Sequence, residues 1–243
     1  MKQISPPFWP QAMLTLRTIA FIAIQSLLAF FFILFKQDAA WQKAADWWPF
    51  VVVITNILCL LILTRLFRQQ GWRYLDIFTI RTEFVKKDLL LMLPILIASG
   101  LLSMAPNLLL AQALMGDPQA VLDAMLRPLP LWAAIASLVL FPLTQGLVEI
   151  PTYFSYVMPG FKAQGMPNWL AVGLPALFLS LQHIGIPFIL DPRYLLVRAL
   201  MFLPFALFLG WFMYWRPRLL PYLAIMHVLM DASMAVLLLG VAV

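Results

Sequence analysis

Near its C-terminal end the sequence carries His227-Val228-Leu229-Met230-Asp231, a histidine and a carboxylate four residues apart in an apolar run. Four helical residues turn through about 400°, so both side chains share one helix face. Two more ionisable residues, Glu149 and His183, sit inside other apolar runs. The other eight of the ten acids (Asp38, Asp46, Asp76, Glu83, Asp88, Asp117, Asp123 and Asp191) fall in loops or at the ends of apolar stretches, and the chain has only two histidines. An ionised group at mid-membrane costs roughly 2.5–3.5 kcal/mol on the insertion scale. One shared polar cavity is therefore the economical arrangement of Glu149, His183, His227 and Asp231. Such a set suits water activation. A carboxylate in a dehydrated cavity is a competent general base, and a histidine can share the water proton. A second histidine, held by an aspartate, can donate to a developing oxyanion. That is hydrolysis without a covalent intermediate.

The same side chains, Glu149, His183 and His227, could instead hold Zn²⁺ with one open position. The expectation is no metal and no other cofactor, because the sequence has no His-Glu-x-x-His. No Gly-x-Ser-x-Gly or Ser/Lys pattern stands out, and Ser155, Ser180 and Ser233 read as small packing residues. Gln145 and Gln182 read as interhelical hydrogen-bond partners. Tyr153, one turn after Glu149, is within reach of a hydrogen bond to it.

The elements that must position these groups are membrane helices. The chain has 243 residues, of which 64% are hydrophobic and 11% charged, and its mean hydropathy is +0.94. A soluble domain has about 25% charged residues. The fold class is all-α, a single polytopic transmembrane bundle of about seven spans, with six to eight as the bounds. The +6 net charge does not indicate a nucleic-acid partner, because the basic residues collect at segment ends. The partner is the lipid bilayer. Cys59 reads as a small buried hydrophobe.

In order, residues 1–12 read as an interfacial lead-in with Trp9 as a headgroup anchor. Spans are expected at about 14–35, 49–66, 88–112, 131–157, 169–190, 195–214 and 220–242. Pro94, Gly100 and Pro106 are possible kinks in the third. Residues 72–86 are either a surface amphipathic helix or a solvated loop. A short re-entrant segment would most easily hide in 101–130. Lysine and arginine divide eleven to five in favour of the side holding the N-terminus, which points to a cytoplasmic N-terminus. That division counts Arg17 and Arg198 as span-end charges. Depth is less tidy: Glu149 lies roughly 13–15 Å and His227 roughly 10–12 Å from the same side, but His183 roughly 20 Å. Agreement requires the fifth helix to start late, after Gly173 or Pro175.

Residues 129–243 resemble the CPBP family, the CAAX protease and bacteriocin-processing (Abi) membrane proteins. Residues 1–128 supply the N-terminal spans and the basic loop. Three motifs carry the resemblance. His227 to Asp231 matches the family's His-x-x-x-Asn/Asp, after Gly210-Trp211 and Trp215-Arg216-Pro217-Arg218. Leu179 and His183 take the places of Phe-x-x-x-His, with Phe178 one position off. The first motif is normally Glu-Glu-x-x-x-Arg, followed by Gly-Tyr and a proline. Pro159 falls ten residues after Glu149, which makes Glu149 the first glutamate, with Ile150 and Phe154 replacing the Glu–Arg pair. In the alternative register Val148 holds the catalytic place and Tyr153 that of the arginine. The first register is preferred, because an ion pair replaced as a unit by apolar groups costs little.

The resemblance implies an intramembrane glutamic endopeptidase of a bacterial cell membrane. Its substrate would be a membrane-embedded or lipidated peptide or protein. Glu149 and His183 would activate water, and His227 and Asp231 would bind the oxyanion. Two other readings stay open: a non-catalytic protein of the same fold, for immunity or scaffolding, and a proton-coupled transporter.

Overall fold

The computed structural model describes residues 9–243, so the first eight residues of the lead-in, Lys2 included, lie outside the described residues. The described chain is all-α. Six of its helical segments are long and apolar enough to cross a membrane: Trp9–Leu34, Trp48–Gln69, Tyr74–Met115, Leu131–Ala163, Pro192–Trp215 and Pro217–Gly240. Their outer faces are apolar, as in Ile97, 75% exposed on the third of them. Only lipid solvates such a surface at low cost.

The helices are α1 (Trp9–Leu34), α2 (Ala40–Asp46), α3 (Trp48–Gln69), α4 (Val85–Met115), α5 (Ala120–Met125) and α6 (Leu131–Ile150). They continue with α7 (Met158–Ala163), α8 (Asn168–Leu181), α9 (Pro192–Leu200), α10 (Leu203–Trp215) and α11 (Leu220–Gly240). Residues 72–86 do not form an amphipathic surface helix. They make two short 3₁₀ turns, Tyr74–Phe78 and Thr82–Phe84. Tyr74 pins the first of them, because its ring is buried. No re-entrant segment occupies 101–130: α4 runs unbroken through Pro94 and Pro106 to Met115, and α5 is only six residues long.

The fifth expected span is the main departure. α8 has 14 residues and ends at Leu181. A 3₁₀ turn, Gln182–Gly185, follows, and the backbone then stays irregular to Asp191. Pro187 has no N–H to continue a helix. Irregular backbone at membrane depth survives only with protein partners, and buried side chains supply them. Gln25 of α1 donates to Phe188 O and accepts from Phe188 N, both at 2.8 Å. Trp41 Nε1 also donates to Phe188 O, at 3.1 Å. Arg198 of α9 donates from Nε to His183 O at 3.1 Å, and from its terminal nitrogen to Ile186 O. Arg198 is thus not a span-end charge. It is 2% exposed and carries the broken crossing. Asp191 then caps α9, accepting from the backbone of Arg193 and Tyr194.

α6 and α11 pack along their length, α3 packs against α6, and α1 packs against α3. The close approach of α6 and α11 requires Gly146, where a Cβ would fall on the Val228 side chain and lie 3.0 Å from Ala224 O. After Ile150 the helix widens into a π-helical stretch, Pro151–Val157, and continues into α7. Pro151 cannot donate to Leu147 O, and the hydroxyl of Tyr74 takes that carbonyl instead, at 2.5 Å.

Candidate functional site

Glu149 is the last acidic residue before the π-helical stretch, where local widening often marks functional sites. Its side chain is 1% exposed. The two carboxylate oxygens have different surroundings. Oε2 accepts from Gln145 Nε2 at 2.5 Å and from Gln182 Nε2 at 2.8 Å, and it faces an Arg17 guanidinium nitrogen at 3.5 Å. Oε1 lies 3.2 Å from His227 Nε2, and the same nitrogen lies 3.3 Å from Asp231 Oδ2. These two are ion-pair distances rather than aligned hydrogen bonds, and His227 Nδ1 has no hydrogen-bond partner among the described residues. His227 Nε2 therefore sits between two carboxylates, one from α6 and one from its own helix.

Arg17, like Arg198, is not a span-end charge. It lies on α1, about 12 Å from Trp9 at 1.5 Å per residue, and it is fully buried. Its Nε donates to Gln182 Oε1 at 2.6 Å. Its other two nitrogens donate to Asn56 Oδ1 at 2.6 Å and to Gln145 Oε1 at 3.0 Å. Asn56 of α3 in turn donates to Gln145 Oε1 at 2.9 Å and Thr144 Oγ1 at 3.1 Å. Four elements thus meet at one guanidinium. The planar fork of arginine suits this distribution, where a lysine ammonium would act as a point charge. Gln145 and Gln182 do tie helices together, as expected, and they also hold Glu149. Tyr153 bonds to Gln182 Oε1 at 3.3 Å rather than to Glu149. Ile150 and Phe154 are both buried in the apolar core, and Phe154 fills the space left by Gly210.

His183 stands in the 3₁₀ turn, where α8 gives out. Its Nδ1 lies 2.9 Å from Leu179 O and 3.2 Å from Ser180 O. Carbonyl oxygens only accept, so Nδ1 carries the proton and Nε2 keeps the lone pair in the neutral ring. The ring packs on Phe202 at 4.3 Å between centroids. The depth mismatch between Glu149 and His183 disappears without a late start of α8. The helical path beyond Glu149 runs on to Ala163, so Glu149 lies about 21 Å from that end, and His183 about 22 Å from Asn168.

Glu149, His183, His227 and Asp231 all line one cavity of about 390 Å³. The rest of its wall is mostly apolar and includes Met104, Met125, Met201, Met230 and Met234. It reaches the seam between α4 and α11, which are not packed along each other. Among the described residues no group of three His, Cys, Asp or Glu side chains is placed to hold a metal. The Arg17 guanidinium already stands beside Glu149 as a counter-charge, a poor setting for a divalent cation. Arg17 and Asn56 were both readable as polar residues inside apolar runs; neither is an acid or a histidine, and Arg17 sits close enough to a span end to pass for an anchor. Comparison with protein-family models, curated proteins and solved structures returns no match for this chain.

Proposed function

We propose that this chain is an intramembrane endopeptidase of the CPBP type, hydrolysing a peptide bond of a membrane-associated substrate through water activated by Glu149 and His183. One observation carries the proposal. Oε2 of Glu149 is held by Gln145, Gln182 and Arg17, while Oε1 faces His227 at 3.2 Å, on a cavity shared with His183. A carboxylate anchored through one oxygen keeps the other available for a reacting water.

In this reading a water lies between Glu149 Oε1 and His183 Nε2. Its proton passes to these groups as its oxygen attacks the substrate carbonyl carbon. The oxyanion so formed accepts from His227 Nε2–H, which swings to it from between Glu149 and Asp231, the two carboxylates that keep the ring charged. The C–N bond then breaks, and the departing amine takes the proton back. Neither a metal nor any other cofactor takes part. The methionine-rich wall and the seam between α4 and α11 suit an extended apolar or lipidated substrate arriving from the bilayer. The excess of basic residues at the end that holds α7 and the start of α11 supports a cytoplasmic side for that end and for the N-terminus, in a bacterial cell membrane.

The test is a comparison of membranes containing the wild type, Glu149→Gln or His183→Ala, read by enrichment of new protein N-termini. Cleavage products present with wild type and lost in both variants, at equal protein levels, support the proposal. Undiminished cleavage in either variant overturns it. The saturation of Oε2 by three donors also fits a purely structural carboxylate in a non-catalytic protein of the same fold. That reading expects the cellular phenotype to survive Glu149→Ala.

A further inference from the structure

A second concave site lies at the opposite end of the molecule from α2 and α5. Its cavity, about 790 Å³, is walled by the 72–81 turn, α7, the end of α10 and the start of α11. Besides Arg218, three cations line it: Arg81, Lys162 and Arg216. None of them forms an ion pair among the described residues. A fourth, Arg218, is committed to Asp88, at 2.9–3.1 Å. The acid that lines the cavity is Asp76, so positive charge remains in excess.

Two of the free cations are held in place by rings. Lys162 Nζ lies 4.3 Å from the centre of Tyr214, and Arg216 lies 4.8 Å from the centre of Trp215. Trp72 and Trp215 are exposed beside them, as aromatic residues are at headgroup level. Below the cations the wall is apolar, with Phe154, Met158 and Met213. A cationic rim over an apolar floor, at the end of the membrane helices, matches one chemistry: a phosphate headgroup with the first carbons of its chains beneath it.

We propose that this cavity binds the phosphate headgroup of an anionic glycerophospholipid, held by Lys162, Arg216 and Arg81. The site is separate from the Glu149 cavity and does not rest on the peptidase reading.

The experiment uses the full chain, purified in detergent and returned to nanodiscs of phosphatidylcholine alone or with phosphatidylglycerol at one part in five. Retained lipid is read by native mass spectrometry and protein stability by thermal unfolding. Selective retention of phosphatidylglycerol is expected, with a rise in the unfolding temperature. Lys162→Gln with Arg216→Gln removes two contacts and weakens retention by roughly 20–30-fold. Arg65→Gln with Arg68→Gln, exposed cations at the same end but outside this cavity, leaves retention unchanged. Equal loss in both double variants would show a diffuse basic surface and overturn the site. Equal protection by soluble glycerol phosphate would show a free-anion site and overturn the lipid assignment.

Discussion

Arg17 is where the balance of this structure is most exposed. Its guanidinium feeds acceptors on Gln182, Asn56 and Gln145 and faces Glu149, all away from solvent. Breaking a buried pair by removing one partner costs about 3–5 kcal/mol, because the other charge stays behind uncompensated. Arg17→Met should therefore lower the unfolding temperature sharply, whereas Arg17→Met combined with Glu149→Leu should recover most of the loss. Thermal unfolding in detergent checks both. If the single and double variants are equally unstable, the guanidinium serves the glutamines rather than Glu149. The two carboxylates and the two histidines were legible in the sequence because acids and imidazoles are rare in apolar runs. The arginine was not, because a long side chain near a span end normally snorkels to the interface. Nothing in its immediate sequence says that it turns inward; that depends on Asn56, Gln145 and Gln182, which lie 39, 128 and 165 positions away in the chain.

Among the elements, α3 and α11 start and stop close to the expected span ends, while the expected span at 195–214 is divided at Met201-Phe202 into α9 and α10, and α6 passes at Ile150 into the π-helical stretch. α8 stops short of its expected end, and the reason is tertiary. The apolar run continues to Leu190, but Pro187 and the side chains of Gln25 and Arg198 offer the backbone a non-helical solution. Gln25→Leu leaves Phe188 N–H and, apart from Trp41, Phe188 C=O without partners. Its expected cost is about 1–3 kcal/mol per abandoned group, seen as faster hydrogen exchange confined to residues 186–190. Unchanged exchange there would mean that Trp41 and Pro187 hold the segment alone. Gly146 makes the complementary point for α6 and α11. Gly146→Ala overpacks the contact with Val228 and should cost about 1–3 kcal/mol. Val228→Ala in the same chain should restore most of that. Failure to rescue would locate the clash at the Ala224 carbonyl instead.

At the scale of the whole molecule, the described residues form an all-α bundle with six helical segments long and apolar enough to cross a membrane, within the six to eight spans that the hydropathy of the sequence led us to expect. Its orientation is open to a clean measurement, because the single cysteine, Cys59, is buried. In a Cys59→Ala background, Lys162→Cys should react with an impermeant maleimide only from the cytoplasmic side, and Lys43→Cys only from the other. The reverse pattern would invert the proposed topology. The guanidinium from α1 also bears on modularity. Glu149, His183, His227 and Asp231 all belong to the second half of the chain, yet Glu149 faces a guanidinium contributed from the first. A chain severed in the short connection after Gly116 should therefore behave as a two-piece puzzle. Neither fragment would be stable when produced alone, and co-production would restore a complex whose yield falls when the first fragment carries Arg17→Met.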